Sequence, residues 1–257
     1  MRPKLSIITI NLNNAPGLSK TIQSVLGQTY TNFEYIIIDG GSTDYSMKLI
    51  KENEGKLTYW VSEPDNGIYN AMNKGIEKAS GEYLLFLNSG DFLTNKHVIH
   101  ESEQYLSNTE LVYGNLSIIN LGKLSNCLFP SKLTFKYFLN NSLPHPSTFI
   151  KSTMFNKVGL YNEQLKIASD WEFFIKSVCL YNCTYNYINK PISVIDTNGI
   201  SRNPEMQNII ISEIDHVLKR NFSAFIVDYS PWKNRKMYFY QRFINKIMTL
   251  SKKLKSL

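Results

Sequence analysis

The order of apolar runs and helical patterns in the first hundred residues restricts the fold of this chain more than any other feature of its sequence. Four short apolar runs predict buried strands, and apolar residues return at helical spacing after the first and third runs. The four runs are Leu5 to Ile10, Tyr35 to Ile38, Leu57 to Val61 and Tyr83 to Leu87. This alternation is typical of βαβ units, in which helices cover a mostly parallel sheet.

The helix after the third run has signals at both ends. Its apolar pattern starts at Ile68, Asp65 or Asn66 is placed to cap it, and Gly81 is placed to end it.

The second half of the chain is less regular. Leu111 to Ile119 and Tyr185 to Ile195 predict strands, and Ser169 to Leu180 has helical spacing. Since no repeat or low-complexity linker interrupts this part, we expect one α/β domain over residues 1–203 and added helices over residues 204–257.

The composition indicates a soluble globular protein in a reducing compartment. Hydrophobic residues make up 43% and charged residues 19% of the 257 residues. No uncharged apolar run reaches the roughly 18 to 20 residues that span a bilayer, and the run from Leu5 to Ile10 is too short for a secretory signal. Three cysteines without a CxxC pair argue against a disulfide framework, so we expect a cytoplasmic protein.

The net charge of +7 belongs to the C-terminal end of the chain. From Trp232 onward there are eight basic residues and no acidic one, which leaves 20 basic and 21 acidic residues before it. A nucleic-acid-binding body would spread its basic residues over a face of the fold, so we expect no nucleic-acid partner. A basic terminal segment instead indicates an appended interaction element.

This basic tail also carries an apolar stripe. Six apolar residues recur at intervals of three or four: Tyr240, Phe243, Ile247, Leu250, Leu254 and Leu257. A helix with this stripe and a cationic face suits an anionic membrane surface, so we expect peripheral attachment at the inner face of the plasma membrane. The alternative is a helix that packs on the body or on a second copy of itself.

Polar residues follow each of the four predicted strands. The clusters are Asn11 with Asn13, Asp39 to Asp44, Glu63 to Gly67, and Asn88 to Asp91. A parallel sheet binds ligands at the carboxyl ends of its strands, so these clusters are candidate ligand contacts. Ordinary strand-ending turns use the same residue types, which is the alternative for any one cluster.

Neither common phosphate-binding loop follows the first strand. The GxGxxG fingerprint and the GxxxxGK loop are both missing from this place. Asn11 and Asn13 stand there instead, with side chains able to contact a base or a sugar. A bound phosphate group would then have to be held in another way. A divalent cation bound to Asp91 could hold it.

Four segments, in this order along the chain, resemble family-2 glycosyltransferases. Within that family they are most similar to bacterial enzymes that build surface polysaccharides. The segments are LSIITINLNN, FEYIIIDGGSTD, EPDNGIYNAMNKGIEKASGEYLLFLNSGD and SDWEFF, which begin at Leu5, Phe33, Glu63 and Ser169. The resemblance implies an α/β protein with the GT-A fold, whose mostly parallel sheet binds the nucleotide. It also implies an inverting enzyme that moves a sugar from a nucleotide sugar, commonly a UDP-sugar, to a glycan or lipid-linked acceptor.

The resemblance gives donor-side roles to several residues. Asp91 would be the carboxylate ligand of Mg²⁺ or Mn²⁺, which offsets the charge that grows on the leaving diphosphate. Asn88 replaces the first acid of the family's DxD-like motif and suits a hydrogen bond to ribose or to the donor sugar. Asp39 would read the nucleobase, and Asp65 and Asn73 resemble positions that contact the nucleoside and the donor.

The acceptor hydroxyl needs a base, and Asp170 stands where the family has its catalytic aspartate. Glu172 is the rival, but two residues along a helix turn about 200°, so the two side chains cannot face one cleft. Lys176 lies four residues after Glu172 and gives that residue an explanation as a surface ion pair. We therefore expect Asp170 to be the base and Glu172 to be structural.

Two further positions leave alternatives open. His145 resembles a loop histidine near the donor or acceptor, or it holds a solvent-facing ring between its two prolines. Arg202 follows a segment that resembles one closing over the diphosphate, or it is a surface arginine after a turn. The alternative functions are an inactive nucleotide-sugar-binding module and a nucleotidyltransferase, although the latter usually needs a glycine- and lysine/arginine-rich loop that is missing here.

Overall fold

A mixed nine-stranded sheet forms the centre of the residues that the computed structural model describes, 4–120, 122–196 and 206–228. Its strands are β1 (Leu5–Asn11), β2 (Phe33–Asp39), β3 (Tyr59–Ser62), β4 (Tyr83–Phe86), β5 (Phe92–Leu93), β6 (Leu111–Asn120), β7 (Lys123–Cys127), β8 (Thr148–Lys151) and β9 (Tyr185–Asp196). Across the sheet their order is β3-β2-β1-β4-β8-β6-β9-β5, and β7 pairs with β6 outside this order.

Helices cover both faces of the sheet. In chain order they are α1 (Ala15–Leu26), α2 (Ser46–Asn53), α3 (Ile68–Lys78), α4 (Val98–Glu103), α5 (Phe135–Phe138), α6 (Thr153–Val158), α7 (Ser169–Cys179), α8 (Gln207–Asn221) and α9 (Ser223–Asp228).

The four strands that the sequence predicts in the first hundred residues form the parallel half of the sheet. β1 pairs in parallel with β2 and β4, and β2 pairs in parallel with β3. β1 is buried along its whole length, which is typical of central parallel strands with helices on both sides. The prediction of a parallel βαβ half is therefore confirmed.

The sheet separates two apolar cores. Ile8 and Ile36 face the core that contains α3, α7 and α8, whereas Ile7 and Ile37 face the core that contains α1. The helix α3 approaches the sheet closely at Gly75, where a Cβ would lie 2.5 Å from Cγ2 of Ile8. A side chain at this position would push α3 away from the strand ends.

The other half of the sheet is mixed. β8 runs antiparallel to β4 and β6, β6 pairs in parallel with β9, and β5 runs antiparallel to β9. The helix α8 packs on the same core as α3 and α7 through Ile210, Ile214, Val217 and Leu218.

The predicted ends of α3 are wrong. Its N-cap residue is Gly67 with φ 110°, and Asp65 instead accepts a hydrogen bond from the backbone N–H of Gly67 at 2.9 Å. The carboxylate therefore closes the turn before the helix. The helix ends at Lys78, and Gly81 lies against β1, where a Cβ would be 2.6 Å from the backbone N of Ser6. Gly81 thus allows close backbone approach at the start of β4.

None of the helices in residues 4–120, 122–196 and 206–228 is long and apolar enough to cross a membrane. Arg202 and the basic tail from Trp232 lie outside these described residues. The predicted boundary between residues 203 and 204 also falls outside them and stays a prediction.

Candidate active site at the carboxyl edge of the sheet

Parallel pairing brings the first two polar clusters together. Asn11 and Asp39 are the last residues of β1 and β2 and lie opposite each other in register. The turn after β4 joins them, because the backbone N–H of Ser89 donates to the carbonyl of Ile10 at 2.9 Å. The end of β3 lies beside Asp39, whose carbonyl accepts from the backbone N–H of Glu63 at 3.0 Å. All four clusters therefore meet at one edge.

The carboxylate of Asp39 is held by four hydrogen bonds. Asn11 Nδ2 (2.7 Å) and Ser42 Oγ (2.6 Å) donate to Oδ1, while the backbone N–H of Ser42 (2.9 Å) and Ser62 Oγ (2.6 Å) donate to Oδ2. Burial acts to raise the pKa of Asp39, but these donors outweigh it and hold the pKa below its ordinary value. Asp39 is therefore a fixed, ionised group, and an incoming base N–H would have to replace one of its donors.

The loops around this pair are joined by side chain to backbone contacts. Asn13 has φ 49°, and its Oδ1 accepts from the backbone N–H of Thr43 at 2.8 Å. Asp44 accepts from the backbone N–H groups of Ala15 (2.8 Å) and Ser46 (2.9 Å), the first residues of α1 and α2. Asn13 is exposed, so its side chain is accessible to a ligand at this edge.

Asp65 lies over the end of β2. A Cβ at Gly40 would be 2.4 Å from Asp65 Oδ2, so a side chain at this position would displace the carboxylate. Asp65 is half-buried next to Asp39, on the side where the resemblance places the nucleoside.

The turn from Asn88 to Asp91 is shaped by α1. The backbone N–H of Asp91 donates to the carbonyl of Asn88 at 2.8 Å, and Gly90 has φ 106°. The buried hydroxyl of Thr21 donates to the carbonyl of Asp91 at 2.7 Å and accepts from the backbone N–H of Gly90 at 3.0 Å. Asn14 caps α1 and donates to the carbonyl of Ser89 at 2.8 Å.

The residues of this turn fit a hard divalent cation that is shared with a diphosphate. Asn88 Oδ1 is buried and has no hydrogen-bond partner within the described residues, and the carboxylate of Asp91 lies three residues on. Oxygen ligands of this kind suit Mg²⁺ and Mn²⁺. No group of three or more His, Cys, Asp or Glu that could hold a metal occurs in the described ranges.

Asn73 faces the loop before α7. Its Nδ2 donates to the carbonyl of Tyr161 (2.9 Å) and to Glu163 Oε1 (2.8 Å), and its Oδ1 accepts from the backbone N–H of Tyr161 (3.0 Å). These contacts join α3 to residues 161–163. The predicted donor contact of Asn73 would require one of them to be exchanged.

Asp170 lies in the first turn of α7 and is tied to the carboxyl edge of the sheet by Tyr69. The Tyr69 hydroxyl lies 3.0 Å from Asp170 Oδ1 and also donates to the carbonyl of Ile167. Tyr69 belongs to the first turn of α3, which starts at the same edge directly after Asp65 and Gly67. Burial, then the negative charge of Asp170, raises the pKa of Tyr69 well above its usual value, so this phenol stays protonated.

His145 is buried behind Tyr161. Its Nε2 lies 2.8 Å from the Tyr161 hydroxyl, and its ring stacks on Phe86 with a centroid distance of 4.8 Å. The solvent-facing alternative is therefore wrong, because only 8% of the residue is exposed. Its predicted contact with the donor stays a prediction.

Glu172 and Asp170 have different contacts within the described residues. Glu172 accepts a hydrogen bond from Asn162 Nδ2 at 3.2 Å and pairs with Lys176 at 3.6 Å. The ion pair is present, but its description as a surface pair is wrong, since Glu172 is 7% exposed. It holds the loop before α7 against that helix.

Several residues of this site escaped the sequence analysis. Thr21, Ser62 and Tyr69 contact the candidate residues from 70, 23 and 101 positions away in the chain. Each lies within an element and has no local pattern that marks it as functional.

Comparisons with known proteins show the family to which the chain belongs. The sequence pattern described as Glycosyl transferase family 2 matches residues 6–155. An uncharacterized glycosyltransferase of Mycobacterium tuberculosis is 33% identical over 211 residues, 79% of each chain. A PGL/p-HBAD biosynthesis glycosyltransferase of Mycobacterium bovis is 30% identical over 181 residues, 68% of this chain and 69% of its own.

Solved structures share the fold. Staphylococcus aureus TarS in complex with UDP-GlcNAc superposes with a TM-score of 0.65 at 19% identity, over 82% of this chain and 66% of that one. Mannosyltransferase PcManGT from Pyrobaculum calidifontis, in complex with GDP-Man and Mn²⁺, superposes with a TM-score of 0.64 at 13% identity. The match covers 86% of this chain and 64% of that one. The chain therefore spans just under two thirds of the length of these solved chains.

The α/β sheet and its polar carboxyl edge define a protein of the GT-A fold, as the sequence predicts. The chain belongs to glycosyl transferase family 2 and is a glycosyltransferase.

Proposed function

We propose that this glycosyltransferase is an inverting enzyme that moves a hexosyl or N-acetylhexosaminyl group from a UDP-sugar to a hydroxyl of a glycan or lipid-linked acceptor. The observation that carries the proposal is that Tyr69, on the helix that starts at the carboxyl edge of the sheet, contacts Asp170 at 3.0 Å. This contact supports Asp170 as the base, because it joins that carboxylate to the helix that starts at the edge where Asn11 and Asp39 lie.

In the proposed reaction Asp170 accepts the proton of the acceptor hydroxyl while that oxygen attacks the anomeric carbon. The nucleoside diphosphate leaves from the opposite face, so a single displacement inverts the centre. Asn11, Asp39 and Asp65 would hold the nucleoside. Asn13, Asn73, Asn88, His145 and Arg202 remain the other predicted donor contacts.

A bound Mg²⁺ or Mn²⁺ would stabilise the charge of the diphosphate as a Lewis acid, with Asp91 as its protein carboxylate ligand. The nucleotide sugars and the Mn²⁺ named in the TarS and PcManGT structures support the donor class and the cation. We also propose that the basic tail attaches the enzyme to the inner face of the plasma membrane, where a lipid-linked acceptor would lie.

Asp170→Asn tests the base. The enzyme is incubated with Mn²⁺ and one of four nucleotide sugars: UDP-glucose, UDP-galactose, UDP-GlcNAc or GDP-mannose. Hydrolysis of the donor, with water as the acceptor, is measured as nucleoside diphosphate released, and the donor that is hydrolysed fastest is used. We expect kcat to fall by at least about 10², with little change in donor KM.

Glu172→Gln is the matched control, because it neutralises a carboxylate on the same helix that faces Asn162 and Lys176. It should lower the melting temperature and leave kcat close to wild type. Greater kcat damage in Glu172→Gln than in Asp170→Asn would make Glu172 the base.

A further inference from the structure

The carboxylate of Glu213 binds three consecutive backbone amides directly before α7. Its Oε1 accepts from the N–H of Lys166 at 2.6 Å, and its Oε2 accepts from the N–H groups of Ile167 at 3.1 Å and Ala168 at 3.0 Å. Glu213 lies on α8, in a different part of the chain from the amides that it binds. Three donors on one carboxylate form a charge-assisted clamp.

This clamp lies directly before a helix that has no side-chain cap. The N-cap residue of α7 is Ala168, whose side chain cannot accept a hydrogen bond. The first turn of any helix leaves backbone N–H groups without partners inside the helix, and a negative charge near them is favourable. Glu213 supplies such a charge from outside the helix, while its three hydrogen bonds hold the residues that lead into the first turn.

The backbone that leads to Asp170 is held from several sides at once. The N–H of Ile167 donates to Glu213, while the carbonyl of Ile167 accepts from the Tyr69 hydroxyl. Two residues on, Ser169 Oγ accepts from the backbone N–H of Asn162 at 2.6 Å. Loss of Glu213 would release one side of the segment that sets where the Asp170 side chain points.

We infer that Glu213 is a positioning residue for Asp170, which it orients toward the acceptor through the backbone of residues 166–168. This inference rests on the proposed role of Asp170 as the base. It concerns a helix that lies beyond residues 6–155, the part that the family pattern matches.

The test uses the full-length enzyme with Mn²⁺ and the donor assay described above. Glu213→Gln keeps the shape of the side chain but removes the charge and turns one acceptor into a donor that faces an amide N–H. Asp215→Asn is the matched control, because Asp215 is an exposed carboxylate on the same helix that pairs with Lys219. Enzyme is counted by nucleotide binding, so unfolded molecules do not lower the measured kcat.

We expect Glu213→Gln to lower kcat about 10- to 100-fold, the scale of a misplaced catalytic group, with donor KM within about twofold of wild type. Asp215→Asn should match wild type. In the Asp170→Asn background, Glu213→Gln should lower kcat no further, because a residue that acts through the base has no effect once the base is gone. Glu213→Asp keeps the charge on a shorter side chain, so its kcat should lie between those of wild type and Glu213→Gln. This variant replaces Glu213→Gln in the test if Glu213→Gln does not fold.

Two results would overturn the inference. One is a kcat per binding site that is the same for both Glu213 variants as for Asp215→Asn. The other is that Glu213→Gln lowers kcat by the same factor in the wild-type and the Asp170→Asn backgrounds. Failure of the proposed function looks different, since Asp170→Asn alone would then retain full kcat.

Discussion

His145 lies in an aromatic pocket that disfavours its charged form. The ring stacks on Phe86 and meets Tyr161 and Phe174 edge to face. Burial lowers the pKa of His145, and the negative charge of Asp170 offsets this only in part. The folded state therefore keeps a neutral imidazole beside Tyr161 where the unfolded chain would already bind a proton.

This difference predicts how stability depends on pH. Below the unfolded pKa, near 6.5, the unfolded state binds more protons at His145, so the free energy of unfolding should decrease as pH falls toward the folded pKa. His145→Gln, whose amide can still pair with Tyr161, should reduce this decrease between pH 7.5 and pH 5.5. Urea denaturation at a series of pH values measures it.

His216→Gln is the matched control, because His216 is exposed on α8. It should follow the wild-type pH dependence. Equal pH dependence for wild type and His145→Gln would contradict the buried neutral state.

Asp91 is the one carboxylate of the turn after β4, and its replacement tests metal binding. Asp91→Asn keeps the shape of the side chain but removes the charge that would hold the cation, so most turnover should be lost while the melting temperature of the free enzyme changes little. The thermal shift produced by UDP with Mn²⁺ should also shrink.

Asn88→Asp is the counterpart, since a second carboxylate should strengthen Mn²⁺ binding to the free enzyme. Undiminished turnover of wild type in EDTA, or full activity of Asp91→Asn, would show that the metal assignment is wrong.

The sequence predicts single residues where they end an apolar run. Asp39 and Asp91 are visible because each follows an apolar run that predicts a buried strand. Glu213 is not visible, because an acid within an amphipathic helix reads as a solvated position. Its contact with Lys166 joins residues 47 positions apart, which no local pattern encodes.

At the scale of elements, α1 organises the turn after β4. The Thr21 hydroxyl accepts from the N–H of Gly90 and donates to the carbonyl of Asp91, and Thr21 is fully buried. The position of the Asp91 carboxylate therefore depends on a helix that precedes it by 70 residues.

Thr21→Val removes this hydroxyl at nearly constant volume. It removes one hydrogen-bond partner from the N–H of Gly90 and one from the carbonyl of Asp91, both half-buried residues, which should cost about 1–3 kcal/mol of unfolding free energy. The thermal shift by UDP with Mn²⁺ should also decrease because the turn is no longer held. Urea denaturation measures the first effect, and the thermal shift with UDP and Mn²⁺ measures the second.

Thr21→Ser keeps the hydroxyl and loses one methyl group, worth about 1 kcal/mol at most, so its nucleotide response should stay at the wild-type level. If both variants lose the same nucleotide response, packing of the methyl group and not the hydrogen bonds fixes the turn.

Elements were predictable where their pattern is long enough to stand alone. β1 and β2 have seven residues each and contain the predicted apolar runs Leu5 to Ile10 and Tyr35 to Ile38, so the prediction of these two strands is confirmed. β5 has two residues, and β8 has four with polar residues at both ends, so neither carries a pattern that differs from a loop. Their strand character comes from pairing with β9, β4 and β6, which are distant in sequence.

For the whole molecule, the charge distribution separates the described body from the tail. Residues before Trp232 carry 20 basic and 21 acidic side chains, whereas the 26 residues from Trp232 carry eight basic ones and none that is acidic. A nearly neutral body has little general attraction to an anionic surface. Each basic residue near such a surface contributes about 1 kcal/mol, so the tail alone can supply membrane binding.

Deletion of Trp232 to Leu257 tests this proposal. The cut lies after α8, whose Val217, Leu218 and the following Phe222 are buried in the core, so the truncated chain should fold and keep its donor hydrolysis. Full-length protein should sediment with liposomes that contain phosphatidylserine at low salt and lose this binding at high salt, because screening weakens the attraction. Liposomes of phosphatidylcholine alone are the control, and the truncated protein should sediment with neither. If full-length protein ignores the anionic liposomes at low salt, or if the truncated chain fails to fold, the tail packs on the body or on a second copy and the membrane proposal is wrong.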